Sequence, residues 1–180
     1  MTDKELMQIA QENGFKSEII STKDIAVDYT FRTYCEDNLC GKYGANYSCP
    51  PDSGTPAEMH RKILSKNSAL VLQKIYDISG YDDKEAVQAA KQSVNYSVIS
   101  VMEKMKAEGY DVIHLGYGGC PLCNPCKCTV GKPCAFPDKK ISCLSAYCIN
   151  VAKLAKTANM EFDWSANKLY LFGMILFDKQ

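Results

Sequence analysis

The chain has 180 residues, of which 46% are hydrophobic and 23% are charged, and its 21 basic side chains balance 21 acidic ones. This length and composition predict one globular domain over residues 1–180, and the zero net charge excludes a strongly basic surface attracted to nucleic acid or anionic lipid. No apolar run approaches the roughly 20 residues of a membrane span, and the first residues lack a signal-peptide pattern, so we expect a cytoplasmic protein.

Helical and extended patterns alternate along the chain. In order, they predict a helix over residues 2–14, a strand over 19–34, a helix over 55–66, a strand over 68–76, a helix over 83–109, a strand over 110–117, a helix over 142–160 and a strand over 168–177. This order predicts an α/β or α+β fold, in which helices cover a mixed sheet of about four strands.

Ten cysteines fall into two windows, and the stretch over residues 50–119 contains none. The first window holds Cys35, Cys40 and Cys49, and the second holds Cys120, Cys123, Cys126, Cys128, Cys134, Cys143 and Cys148. A reducing cytoplasm would not keep disulfides closed, so clustered cysteines favour metal ligands. Both windows follow the ends of predicted strands, where loops can hold a metal site.

The densest motif is the C-x2-C-x2-C run of Cys120, Cys123 and Cys126. Four-cysteine zinc sites usually take two ligands from each of two separate C-x2-C pairs, whereas this triple spacing lets one loop bind three irons of a cube. We therefore expect a [4Fe-4S] cluster, with structural zinc as the alternative. Either Cys49, which precedes Pro50, or the remote Cys134 is a candidate for the remaining ligand, and Cys49 is the closer match to the Cys-Pro pattern of bacterial ferredoxins.

Ten cysteines are enough for one or two such clusters, and the spacing alone does not fix which of them share a site. Cys35, Cys40 and Cys49 give three ligands to a second site or, as the less favoured alternative, one or two to the same site. Cys128 lies very close to Cys126, while Cys143 and Cys148 lie in a segment with helical periodicity. These three are weaker candidates, because a free cysteine also packs well in a core.

Four segments together resemble an uncharacterised family of bacterial and archaeal predicted metal-binding proteins, over about residues 27–180. They are Tyr47-Ser48-Cys49-Pro50-Pro51, Gly119-Cys120-x2-Cys123-x2-Cys126, Pro133-Cys134-Ala135-Phe136-Pro137 and Ala146-Tyr147-Cys148-Ile149-Asn150-Val151. The resemblance implies that the metal ligands are Cys35, Cys40, Cys49, Cys120, Cys123, Cys126 and Cys134. Where the family tends to have Pro-Ser, an acidic residue and then Gly, this chain has Ser142-Cys143, Ser145 and Cys148.

Catalytic motifs are scarce. With only His60 and His114 in the chain, no Cys-His or Ser-His catalytic pair is supported, and we assign no catalytic residue. His114 is interpreted either as a mixed metal ligand or as a packed strand residue. The sequence lacks a Walker loop, and its glycines near residue 118 lack the spacing of a dinucleotide fingerprint.

The expected function is electron transfer with a redox partner protein, without nucleic acid or membrane. Four lysines of the second window would offset the charge of a cluster or contact an acidic partner, namely Lys127, Lys132, Lys139 and Lys140. One alternative is a protein-interaction module whose loops are held together by a structural zinc ion. Another is an enzyme in which one iron of the cluster lacks a protein ligand and acts as a Lewis acid.

Overall fold

A computed structural model describes residues 1–179 of the protein. The helices are α1 (Asp3–Glu12), α2 (Arg32–Glu36), α3 (Pro56–Leu64), α4 (Lys84–Ala107) and α5 (Val151–Thr157). The strands are β1 (Lys16–Ser21), β2 (Ser68–Asp77), β3 (Ile113–Gly116), β4 (Ser142–Cys143) and β5 (Lys168–Phe177). Short 3₁₀ turns lie between them at Thr22–Asp24, Tyr29–Phe31, Lys127–Val130 and Ser145–Tyr147.

The strands form one mixed sheet in the order β1-β2-β5-β3-β4. All neighbours are antiparallel except β3 and β4, which run parallel. The predicted fold class is therefore confirmed, with five strands where about four were expected. The additional strand is β4, which has two residues and pairs Cys143 with Gly116 at the edge of the sheet.

The sheet separates the core into two layers, because successive side chains of a strand point to opposite faces. On one face, Leu70 belongs to the cluster that contains Val98 of α4. On the other face, Val71 belongs to the cluster that contains Ile63 of α3 and Leu154 of α5. The continuous apolar runs of β2 and β5 are explained by this double cover, since both of their faces are buried.

The long helix α4 matches the predicted periodicity. The Asp83 side chain caps its first turn by accepting a hydrogen bond from Ala86 N at 3.0 Å. The chain leaves the helix at Gly109, where a φ of 86° is the left-handed conformation that glycine adopts without steric cost. Neither α4 nor any other helix within residues 1–179 has the length and apolarity needed to cross a membrane.

The strand expected over residues 19–34 is wrong beyond Ser21. The Ser21 side chain accepts a hydrogen bond from Lys23 N and the Asp28 side chain accepts one from Thr30 N, and each bond starts a 3₁₀ turn. Short polar side chains compete in this way with extended pairing, which here is reduced to one bridge between Val27 and Ile149. The first cysteine window consequently begins inside α2 and not at the end of a strand.

The helix expected over residues 142–160 is also wrong in its first half. Cys148 has a φ of 56°, and this left-handed conformation interrupts any helix that passes through it. Helix α5 starts afresh after Asn150, whose side chain accepts a hydrogen bond from Lys153 N at 3.0 Å. The residues before this cap are free to form β4 and a 3₁₀ turn.

His114 is a packed residue of β3, with its Nε2 3.2 Å from Lys139 O. Burial of the imidazole lowers the pKa of His114 below its usual value, the hydrogen bond to the Lys139 carbonyl raises it, and the charge of Lys106 lowers it. In the unfolded chain the imidazole takes up a proton as pH falls through about 6.5, while the folded imidazole stays neutral until a lower pH. The contribution of His114 to the free energy of unfolding is therefore complete above about pH 6.5 and is lost as pH falls through the lower pKa of the folded protein.

We expect the midpoint of urea unfolding to fall more steeply between about pH 8 and about pH 5.5 in the unmodified protein than in a His114→Gln variant. The glutamine amide can still donate to the Lys139 carbonyl, but it does not titrate. The two proteins are compared at each pH in the same metal-loaded state. An identical pH slope in both would contradict the assignment.

Candidate metal centre

All ten cysteines are free thiols, and eight of them line two neighbouring pockets. The first, which we call the narrow pocket, is lined by Cys120, Cys123, Cys126 and Cys134 together with Asn46 and Tyr47. The second, which we call the wide pocket, is lined by Cys35, Cys40, Cys49 and Cys143 together with Gly116, Gly118 and Gly119. Cys128 and Cys148 line neither pocket.

One loop supplies all four cysteines of the narrow pocket. The loop leaves β3, passes through the C-x2-C-x2-C run and enters the 3₁₀ turn Lys127–Val130, for which Cys126 is the N-cap. Gly131 then adopts a φ of 65°, and Lys132 N donates to Lys127 O at 3.1 Å, so the chain reverses direction. This reversal returns Cys134 to the pocket that the first three cysteines line.

Neighbouring backbone groups favour the thiolate form of Cys126. Burial alone would raise the pKa of the Cys126 thiol, but the backbone of Cys128, Tyr47 and Lys127 and the Cys128 side chain lower it overall. Burial raises the pKa of Cys128, and its contact with Cys126 raises it further. Cys128 therefore supports the Cys126 sulfur without lining the pocket itself.

Side chains next to Cys49 donate hydrogen bonds to backbone carbonyls of the second cysteine window. Asn46 Nδ2 donates to Cys120 O at 3.0 Å, at the start of the cysteine loop. The hydroxyl of Tyr47 donates to Lys132 O at 2.8 Å, near the other end of the loop. Asn46 Oδ1 also accepts a hydrogen bond from Ser48 N, which fixes the amide orientation. Residues 46–48 thus clamp both ends of the loop that forms the narrow pocket.

The wide pocket has a volume of about 290 Å³ and takes its cysteines from three places in the chain. Cys35 lies in α2, and Cys40 follows in the turns after this helix. Cys49 comes from the next turn, where its backbone N–H donates to Asn46 O at 2.8 Å. Cys143 is supplied by β4, whose parallel pairing with β3 places it opposite Gly116.

The buried thiols of the wide pocket are strongly biased towards the neutral form. Burial raises the pKa of Cys49 to about 12, and the nearby Cys143, Cys40 and Cys35 contribute in the same direction. Burial likewise raises the pKa of Cys143 to about 11. Thiols in this state lose their protons when a metal replaces them, so metal binding here would release protons and weaken at low pH.

The strand end that carries both pockets is fixed by an amide of α4. Asn95, only 2% exposed, donates through Nδ2 to Tyr117 O at 2.9 Å and accepts from Tyr117 N at 2.8 Å. Gly116 passes so close to this amide and to Ile141 that a Cβ would overlap both side chains. Asn95 is not among the residues predicted from the sequence, although its polar side chain beside the apolar stripe of a helix is a visible signal.

The other polar candidates lie outside the two pockets or at their edge. His60 Nδ1 is 3.1 Å from the hydroxyl of Tyr29, and neither it nor His114 lines a cysteine pocket. Of the four lysines named from the sequence, Lys140 lines the narrow pocket and Lys139 pairs with Glu103. Among residues 1–179, no three His, Cys, Asp or Glu side chains lie close enough together to hold a single metal ion.

A family model described as predicted metal-binding protein (DUF2284) matches residues 18–177. No curated protein and no solved structure matches the chain at a significant level.

Proposed function

Since the chain belongs to this family of predicted metal-binding proteins, we propose that its narrow pocket binds a [4Fe-4S] cluster and that the protein transfers single electrons to and from a redox partner protein. The ligands in this proposal are Cys120, Cys123, Cys126 and Cys134. The observation that carries it is the convergence of these four cysteines, from one loop, on one pocket.

The way the loop presents its cysteines favours a cube over zinc. Structural zinc is usually held by two separate cysteine pairs, whereas here three ligands are three residues apart and the fourth returns after a chain reversal. Three cysteines at this spacing, with a remote fourth, are typical of one-loop binding to an iron-sulfur cube.

The surroundings of the sulfurs also fit a negatively charged cluster. A cube held by four thiolates carries net negative charge, which N–H donors and nearby cations stabilise. In the narrow pocket, the nearby backbone of Cys128, Tyr47 and Lys127 lowers the pKa of Cys126 against the opposing effect of burial, and Lys140 supplies a cation. These are the residues that would hold the sulfurs in place and set the reduction potential.

A bound cluster supplies one-electron chemistry at a potential that the protein adjusts. The chain contributes a site that is close to solvent: Phe136 lines the narrow pocket and is 44% exposed. Lys127 and Lys132 are exposed on the same loop. Exposed cations beside an electron-transfer site favour a partner with an acidic surface, and the rate of transfer to it should fall as ionic strength rises.

The test is chemical analysis of protein purified without oxygen. We expect at least about four irons and an equal number of acid-labile sulfides per chain, with a brown colour that dithionite bleaches. Reduced protein should give a paramagnetic resonance signal from a one-electron-reduced cube. Colourless protein with stoichiometric zinc, or iron without sulfide, would contradict the proposal.

A further inference from the structure

We infer that the wide pocket is a second iron-sulfur site, in which Cys143 is the fourth ligand beside Cys35, Cys40 and Cys49. This inference rests on the function proposed for the narrow pocket and extends it. The resemblance to the metal-binding family implied the three cysteines of the first window, and Cys143 is a fourth cysteine that lines the same pocket.

The position of Cys143 is set by the sheet. Its parallel pairing with Gly116 brings β4 to the strand end that borders the wide pocket. The Cys143 sulfur accepts a hydrogen bond from Ala146 N at 3.3 Å, so one backbone donor already orients it. Backbone donors to a cysteine sulfur are the support that metal-bound thiolates receive in proteins.

The pocket has room and donors for a group of several atoms. Its volume of about 290 Å³ is many times that of a water molecule, whose share of the liquid is about 30 Å³. Three of its lining residues are glycines, Gly116, Gly118 and Gly119. Without side chains, their backbone can lie close to a bound cluster.

A buried cation lies on α2, the helix that supplies Cys35 to the wide pocket. Arg32 is only 8% exposed, and its guanidinium donates to Gly54 O at 2.7 Å and to Ala146 O at 2.9 Å. Its Nε has no hydrogen-bond partner within residues 1–179, and no carboxylate of these residues lies within 4.0 Å of it. A buried cation without a counter-ion is costly, and its charge already acts on the neighbouring Cys35 thiol.

A cluster with four thiolate ligands is an anion, and Arg32 lies on the helix that supplies one of these ligands without lining the pocket itself. Two further cations surround the same pocket: Lys91 lines it, and the charge of Lys42 acts on Cys49. The net charge of the whole chain is zero, so Arg32, Lys42 and Lys91 make the surroundings of the wide pocket more positive than the protein as a whole. It matches the negative charge that a second cluster would bring.

The two pockets are adjacent. Gly119 lines the wide pocket and the next residue, Cys120, lines the narrow one. Tyr47 lines the narrow pocket and Cys49 lines the wide one, so the chain allows at most about 7 Å between their Cα atoms. Two clusters at this spacing would exchange electrons directly, and the protein would carry two electrons in single steps.

The test is the iron content and magnetic spectrum of a Cys143→Ala variant, with Cys148→Ala as the matched control. Cys148 is a buried cysteine of the same segment that lines neither pocket. We expect about eight irons in the unmodified protein and in the control, and between about four and about seven in Cys143→Ala. Reduced unmodified protein should show spin coupling between two clusters, and Cys143→Ala should lose it.

A Cys143→Ser variant keeps the size of the side chain and separates loss of a ligand from loss of folding. It should keep native circular dichroism and still lose the spin coupling. About eight irons with unchanged coupling in both Cys143 variants would overturn the inference. About four irons in the unmodified protein and in all variants would overturn it too, while leaving the narrow-pocket cluster intact. Unmodified protein without iron would instead refute the proposed function.

Discussion

Replacing Cys123 with alanine should abolish the cluster of the narrow pocket and lower the iron content by about four per chain. Cys123 is the central cysteine of the loop, and no other thiol of this pocket is free to take its place, because the remaining three are themselves ligands. Binding of a metal group is also part of the folding free energy of the loop that holds it. We therefore expect residues 117–140 to become sensitive to limited proteolysis.

The matched control is Val130→Ala, which changes an exposed residue of the same loop that lines neither pocket. Its iron and sulfide contents should equal those of the unmodified protein, and its loop should remain resistant to protease. If both variants lose iron equally, or if Cys123→Ala loses none, the ligand assignment of the narrow pocket is wrong.

Replacing Asn95 with alanine should cost about 2 kcal/mol in the free energy of unfolding, because it leaves the half-buried N–H and C=O of Tyr117 without their partners. The same change should speed the release of iron to a chelator, since both pockets are built on the strand end that Asn95 holds. Urea unfolding and the rate of iron release measure the two effects.

Gln92→Ala is the control on the same helix, because Gln92 is exposed. It should change the free energy of unfolding by less than about 0.5 kcal/mol and leave iron release unaltered. Equal effects from the two variants would show that Asn95 acts only through helix propensity.

The periodicity of the chain predicted the elements whose burial is regular. The apolar stripe of α4 and the buried runs of β2 and β5 are long enough for their period to be unambiguous. Residues 19–34 alternate as a strand does, but Asp28 bends the backbone through a local hydrogen bond. The difference arises from a competition between local and long-range hydrogen bonds, which alternation alone does not measure.

The cysteines of the narrow pocket could be predicted from the sequence more completely than those of the wide pocket. The spacing of the C-x2-C-x2-C run placed three cysteines together, but the choice between Cys49 and Cys134 depended on chain reversal at Gly131. The structure places Cys134 in the narrow pocket and Cys49 in the wide one. The spacing of cysteines along the sequence cannot assign Cys49 and Cys134 to different pockets, because the two windows meet only through tertiary contacts.

Cys143 and Cys148 illustrate the same limit within one segment. In the sequence both were weak candidates in an apparent helix. The pairing of β3 with β4 brings Cys143 to the wide pocket, whereas the left-handed backbone at Cys148 places its side chain elsewhere. A two-residue strand carries too little pattern to be recognised without its partner.

Each pocket takes residues from both windows: Asn46 joins the second window in the narrow pocket, and Cys143 joins the first in the wide pocket. A shortened chain that keeps only one window would therefore lack lining residues of both pockets, and neither window is expected to assemble a cluster by itself.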